Sequence, residues 1–268
     1  HSSGLNAGRW DYLFSIIKKF RGRRDLLLPD RNSITMTAPF MRAYAELLVR
    51  TCHSRGAHAI GGMAAFIPSR KDPEVNERAL AKVREDKVRE SGDGFDGTWV
   101  AHPDLVSSAQ EPFDQVLGRK TNQLDRVRDD VKVTAGDLLR FETPGGEITE
   151  EGLRNDISVG VQYIASWLRG VGAAAIDNLM EDAATSEIAR SQVWQWVYHG
   201  AKLKEGSDVS PELVRKVVDE ELDRIRQAIG HQEFAAGRFE NARGIFERVA
   251  LEEDFVEFLT VPAYQLLD

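Results

Sequence analysis

Cysteine is nearly absent: Cys52 stands alone among 268 residues, so the chain can form no internal disulfide. Such usage fits a reducing compartment. No stretch approaches the ~18 apolar residues that a membrane helix needs. Positive charge is in deficit, with a net charge of −8 and a pI near 5.4. That balance argues against nucleic acid or an anionic membrane as the main partner, since both reward basic surfaces. A dinucleotide fingerprint is missing, because the glycine pair of AIGGM (59–63) has no GxGxxG around it. There is no internal repeat and no low-complexity stretch. No secretory leader is visible, and the ending YQLLD lacks the Ser-Lys-Leu peroxisomal address, which favours the cytoplasm. The opening, HSSGLNAGRWDYLF, has no Met and reads as the middle of a core element, as though the chain had been cut there.

What is present is enough for a sizeable core: 42% hydrophobic residues, which length alone divides into one large domain or two smaller ones. Residues 37–55 predict a helix, with Thr37 as a cap, Pro39 in the first turn, Phe40, Tyr44, Leu47 and Leu48 on one face, and Gly56 as a stop. Cys52 lies on that core-facing helix and is expected to be inert. AHAIGGMAAFIP (57–68) reads as a buried parallel strand, 73–90 as a charged helix, 92–103 as a second strand and 104–117 as a helix. This alternation implies a parallel sheet with crossover helices and chemistry at the strand C-termini. Three elements end in that manner, GRWD, AFIP and VAHP. Two strands and a partial one cannot close a barrel, so 1–120 reads as the tail of a larger α/β barrel. A polar linker from about residue 119 leads into an all-helical part, giving a division into 1–120 and 121–268. Helices are expected at 148–170, at 180–200 and at 210–230, where Ser210 caps and Pro211 opens the helix. Trp167, Trp194 and Trp196 are expected to pack that helical domain.

Two carboxylates stand out. Asp11 follows a glycine-punctuated turn past an expected strand end, a common way to present a Mg²⁺ ligand. The backbones of Gly4 and Gly8 can aim amides at an anionic substrate. The plainer reading is an Asp satisfied within its turn. Asp182 lies in NLMEDAATSEIAR, followed by the small residues Ala183, Ala184, Thr185 and Ser186. At a helix start it would cap, with its charged form stabilised by helix-end amides. An accessible carboxylate beside small residues can equally serve as a general base. The histidines offer less: His53 and His58, five apart, are expected on different helix faces and make a poor metal pair, while His102 in VAHP reads as structural. The basic run KKFRGRR (18–24) reads as a solvated loop, with a site for a phosphorylated ligand as the alternative.

Together these stretches resemble malate synthase. The run from His1 through GLNAGRWDYLF looks like that family's signature, NLMEDAATSEIAR (178–190) is similar to its catalytic segment, and TAPFMRAY, GGMAAFIP and FLTVPAYQLLD resemble its shorter, single-barrel type. The resemblance runs from residue 1 to residue 268. It implies the C-terminal strands and helices of a TIM (β/α)8 barrel followed by an all-helical domain carrying the catalytic Asp. It implies a Mg²⁺-dependent condensation of acetyl-CoA with glyoxylate and water, giving malate and CoA. Asp11 matches the metal-ligand Asp, Gly8, Arg9, Trp10 and Asp11 the glyoxylate cradle, and Asp182 the base. Pro103, after TWVAH, resembles a proline that touches acetyl-CoA. The family's enolate-stabilising Arg and second Mg²⁺ ligand, a Glu, lie upstream of the signature. The missing N-terminal half of the barrel is therefore an expected partner, and this chain alone is expected to be poorly stable or inactive. The competing expectations are a truncated, non-catalytic remnant serving as an interaction module, and a related malyl-CoA-type lyase.

Overall fold

A computed structural model describes residues 2–68, 73–143 and 145–267. His1 and Asp268, which belong to the motifs above, lie outside the described residues. In chain order the elements are β1 (Gly4–Asn6), α1 (Arg9–Phe20), α2 (Pro39–His53), β2 (His58–Ala64), α3 (Pro73–Asp93), β3 (Gly97–Val100), α4 (Val106–Leu117) and α5 (Ala135–Leu138). There follow α6 (Glu150–Trp167), the short strands β4 (Ala174–Ile176) and β5 (Leu179–Glu181), α7 (Ala183–Tyr198), α8 (Pro211–Ile229), α9 (His231–Ala236), α10 (Phe239–Leu251) and α11 (Thr260–Ala263). The chain is a mostly helical α/β protein. Its main sheet has the order β1-β2-β3, all parallel, and among the described residues no barrel closes.

The chain forms two compact units. The first runs through Arg9 and takes in Thr35–Glu142 and Asp177–Met180; the second takes Trp10–Ile34, Thr143–Ile176 and the chain from Glu181.

In the first unit β2 is the central strand, with β1 paired as Gly4↔His58 and β3 as Met63↔Trp99. Ala7, Ala45, Leu48, Val49, Cys52, Ala59, Phe95 and Phe113 form one apolar cluster between sheet and helices. Burial pushes the Cys52 thiol up, in keeping with an inert cysteine. The glycines of AIGGM serve packing. A Cβ on Gly61 would collide with the Glu90 carboxylate, whose Oε1 accepts the Gly62 N–H at 2.8 Å. Lys87, fully buried, donates to Gly62 O at 2.7 Å and to Glu90 Oε2 at 3.1 Å. A buried ammonium is tolerated only with such partners.

Four local expectations change. GRWD does not end a strand: β1 stops at Asn6, and Arg9–Asp11 is the first turn of α1. Leu13, Phe14, Ile16 and Ile17 recur at helical spacing and are buried, and Lys18 and Lys19 fall in the last turn, where cations suit the helix dipole. Thr37 does not cap α2. Ala38 occupies that position, and the Thr37 hydroxyl lies 2.6 Å from that of Thr35. The basic run is not a solvated loop throughout, since Lys18 is 8% exposed, pairs with Glu257 at 2.6 Å and sits 3.7 Å from the Phe258 ring centroid. His53 and His58 do not share a helix. One ends α2 and the other opens β2, and both approach Asp96 Oδ2, at 3.1 and 3.3 Å.

The second unit is an assembly of amphipathic helices. Leu153, Ile157, Val161 and Ile164 of α6 meet Val193 and Trp196 of α7, Val214, Val217, Val218 and Leu222 of α8, and Phe246 and Val249 of α10. Ser210 caps α8 through the Leu213 N–H at 3.2 Å, and Pro211 opens it. Trp196 lies in this core with Trp167 packed against it, and Trp194 is buried beside Tyr198 and Phe255. The segment after α1 is fixed to α7 by side chains. Gln195 Oε1 accepts the Leu28 N–H at 3.1 Å, and the Trp196 indole donates to Leu28 O at 2.9 Å.

Candidate functional site

Both singled-out carboxylates belong to the second unit. Asp11 sits in the first turn of α1 and is exposed. Partial desolvation nevertheless raises its proton affinity, and the negative charge of Asp182 raises it further; hydrogen bonding to its own backbone opposes both. The charge of Asp182 is thus felt at Asp11, although 171 positions separate them in the sequence.

Asp182 is half-buried and is the N-cap of α7. Its Oδ1 accepts the Thr185 N–H at 3.2 Å, and the Thr185 hydroxyl, 3.5 Å away, donates more closely to Glu181 Oε2 at 2.8 Å. Asp preceding a helical run is a strong cap because it satisfies an orphan amide of the first turn. Ala183 and Ala184 put no bulk beside it. The turn that leads to it, Asp177-Asn178, has positive φ at both residues, 47° and 61°, the conformation a two-residue hairpin loop requires.

Tyr163 of α6 is a neighbour that the sequence does not announce. It is 1% exposed, and its hydroxyl donates to Gly172 O at 2.9 Å. Burial, then the charges of Asp182 and Glu187, push its pKa up to about 12, so the phenol stays neutral and remains a donor. Glu187, one turn further along α7, is buried; its Oε2 accepts from Arg190 Nε at 2.7 Å and its Oε1 from the Leu259 N–H at 2.7 Å. Burial raises the Glu187 carboxyl, with Arg190 opposing.

The remaining candidates are placed as follows. Gly8 precedes α1, and its N–H donates to Tyr44 Oη at 3.1 Å. Arg9 and Trp10, half-buried, open α1, and the Trp10 ring lies 5.0 Å from the Arg31 guanidinium. Pro103 is exposed at the start of a 3-10 turn after β3, where His102 Nδ1 accepts the Asp104 N–H at 3.2 Å, the structural role expected of that histidine. Among the described residues no group of three or more His, Cys, Asp and Glu is arranged to hold a metal by itself. No helix among them is long and apolar enough to cross a membrane.

Comparison with known proteins divides the chain in two. The family model "Malate synthase, TIM barrel domain" matches residues 1–141, and "Malate synthase, C-terminal" matches 147–267. Malate synthase of Streptomyces clavuligerus is 60% identical over 268 residues, all of this chain and 50% of that protein. Malate synthase A of Escherichia coli is 47% identical over 268 residues, again 50% of its length, and the Oryza sativa malate synthase is 49% identical over 275 residues, 48% of its length. The chain thus spans about half the length of the curated relatives it matches. With a barrel model and a C-terminal model matched in tandem, and relatives aligned across all of it, the chain belongs to the malate synthase family.

Proposed function

We propose that this chain forms part of an enzyme that condenses acetyl-CoA with glyoxylate and water to give malate and CoA. Residues 1–120 would be the C-terminal part of its TIM barrel and 121–268 its helical domain. The observation that carries this reading is the placing of two acids at the starts of different helices, Asp11 in the first turn of α1 and Asp182 at the N-cap of α7, with partial burial and then the charge of Asp182 raising the proton affinity of Asp11. Neighbouring carboxylates of that kind suit a cation and an acid-base step. The donor set fits Mg²⁺ in part. Mg²⁺ is usually held by one or two carboxylates together with substrate oxygens and water, and Asp11 supplies one. When bound it would polarise the glyoxylate aldehyde as a Lewis acid.

The chain's own residues then divide the work. Gly8, Arg9, Trp10 and Asp11 form the cradle for glyoxylate. Asp182 takes a proton from the acetyl-CoA methyl. Its cap bonds to Thr185 fix one carboxylate oxygen, which orients the group without adding a competing charge. The resulting carbanion equivalent attacks the aldehyde carbon, whose oxygen takes up a proton to become the malate hydroxyl, and water hydrolyses the thioester to release CoA. Tyr163, a neutral donor bound to Gly172 O, steadies the chain that leads toward Asp182. Pro103 contributes a contact for the CoA ester.

The test is Asp182→Asn in the protein as its gene encodes it, with glyoxylate-dependent CoA release followed by a thiol reagent. Loss of a general base costs about 10²–10⁴ in rate. Activity within a few-fold of the parent would overturn Asp182 as the base.

A further inference from the structure

Arg31 begins a short turn after α1 and is 5% exposed. Its backbone N–H donates to Gln192 Oε1 of α7 at 3.0 Å. Its Nε donates to Asp156 Oδ1 at 2.6 Å and its Nη2 to Asn155 Oδ1 at 2.7 Å, both on α6. The guanidinium carbon lies 5.0 Å from the Trp10 ring centroid. One residue thus ties α7 through its backbone, and α6 and the residue next to Asp11 through its guanidinium.

Stability alone does not account for this arrangement. Asp156 is 1% exposed, and its Oδ2 has no hydrogen-bond partner. Burial pushes its carboxyl up to about 7 against the opposing charge of Arg31, so the acid is held at a cost. Buried ion pairs can often be replaced by apolar residues without loss of stability, because desolvation consumes the Coulombic gain. What apolar residues cannot supply is a rigid planar cation that donates to two oxygens and lies over an aromatic ring.

We propose that Arg31 is a positioning residue for the candidate site: Asp156 and Asn155 orient its guanidinium, which holds the Trp10 ring and with it the first turn of α1 that carries Asp11. This inference rests on Trp10 and Asp11 binding glyoxylate, as read above.

The experiment uses Arg31→Met, Arg31→Lys and the double variant Arg31→Met/Asp156→Leu in the protein as its gene encodes it. The Trp10 contribution to near-ultraviolet circular dichroism, obtained as a difference against Trp10→Phe, needs no turnover. Arg31→Met should abolish that signature and raise the glyoxylate KM about ten-fold or more, with the acetyl-CoA KM within two-fold of the parent. Arg31→Lys, which keeps charge without the fork, should recover part of both. The double variant removes the buried charges together, so it should fold as well as the parent and keep the glyoxylate defect. A double variant that restores the glyoxylate KM would make the pair purely structural and overturn the proposal. So would an unchanged Trp10 signature in Arg31→Met. If the parent shows no glyoxylate-dependent turnover, the functional reading fails, while the Trp10 signature still decides whether Arg31 holds that ring.

Discussion

Gly160 and Gly244 both lie inside helices, in α6 and α10, and Ala at each should act in opposite directions. Ala is the better helix former by about 1 kcal/mol, because glycine loses more backbone entropy on folding. At Gly244 nothing lies within 4 Å of an added Cβ, so the whole of that gain should appear, a stabilisation of about 0.5–1 kcal/mol. At Gly160 the added Cβ would sit 2.5 Å from Phe246 Cε2 and 2.8 Å from its Cδ2. Phe246 is fully buried between α6, α8 and α10, so its ring has no solvent to retreat into. Overpacking of that kind costs about 1–3 kcal/mol, which outweighs the propensity term and leaves a net loss of about 1–2 kcal/mol. Urea titration followed by far-ultraviolet circular dichroism measures both. With a slope of about 2 kcal/mol/M, Gly160→Ala should lower the midpoint by about 0.5–1 M, while Gly244→Ala raises it by a few tenths. Gly160→Ala/Phe246→Leu should recover part of the loss, since Leu withdraws the ring atoms that clash. Midpoints that rise together in the two single variants would refute the claim that α6 and α10 approach through a position only glycine can occupy.

Two further outcomes follow from buried charge. Asp156 has a carboxyl near 7 in the folded chain against 3.8 unfolded, so the folded state holds a proton in between that the unfolded state has lost. Its stabilising contribution is therefore complete below about 4 and disappears as pH rises to about 7; the parent's advantage over Asp156→Asn should shrink across that window, and an advantage that grows would contradict the assignment. Glu187→Gln leaves Arg190, 0% exposed, without its counter-charge, and should cost about 3 kcal/mol or more in the same urea assay, where a loss under about 1 would mean that the guanidinium is hydrated.

The legible parts of this fold are those written in local chemistry. Ser210-Pro211 announces the start of α8, and Asp182 before Ala-Ala-Thr-Ser announces that of α7. The β2 and β3 strands are readable as short apolar runs after a glycine and before a proline. Asp11 is less legible because the glycines ahead of it suggest a turn off a strand, while the buried period of Leu13, Phe14, Ile16 and Ile17 is what decides the helix. His53 and His58 show the same limit. A spacing of five has its helical meaning only if one helix holds both residues, and a strand begins between them. Arg31, Asp156 and Tyr163 carry no signature. Each acquires its role from partners far along the chain, such as the 125 positions between Arg31 and Asp156, which no periodicity records.

Capping and proton abstraction make different demands on Asp182, and the two readings of that residue need not compete. A cap needs an oxygen that accepts the Thr185 N–H, which Asn supplies about as well as Asp. A base needs a carboxylate. Asp182→Asn should therefore leave the free energy of unfolding in urea within about 0.5 kcal/mol of the parent while abolishing turnover. Asp182→Ala should lose both, with about 1 kcal/mol of stability going with the cap. If Asn restored neither stability nor turnover, the carboxylate charge itself would be structural, and the coupling between Asp11 and Asp182 would describe the folding of α7 and not its chemistry.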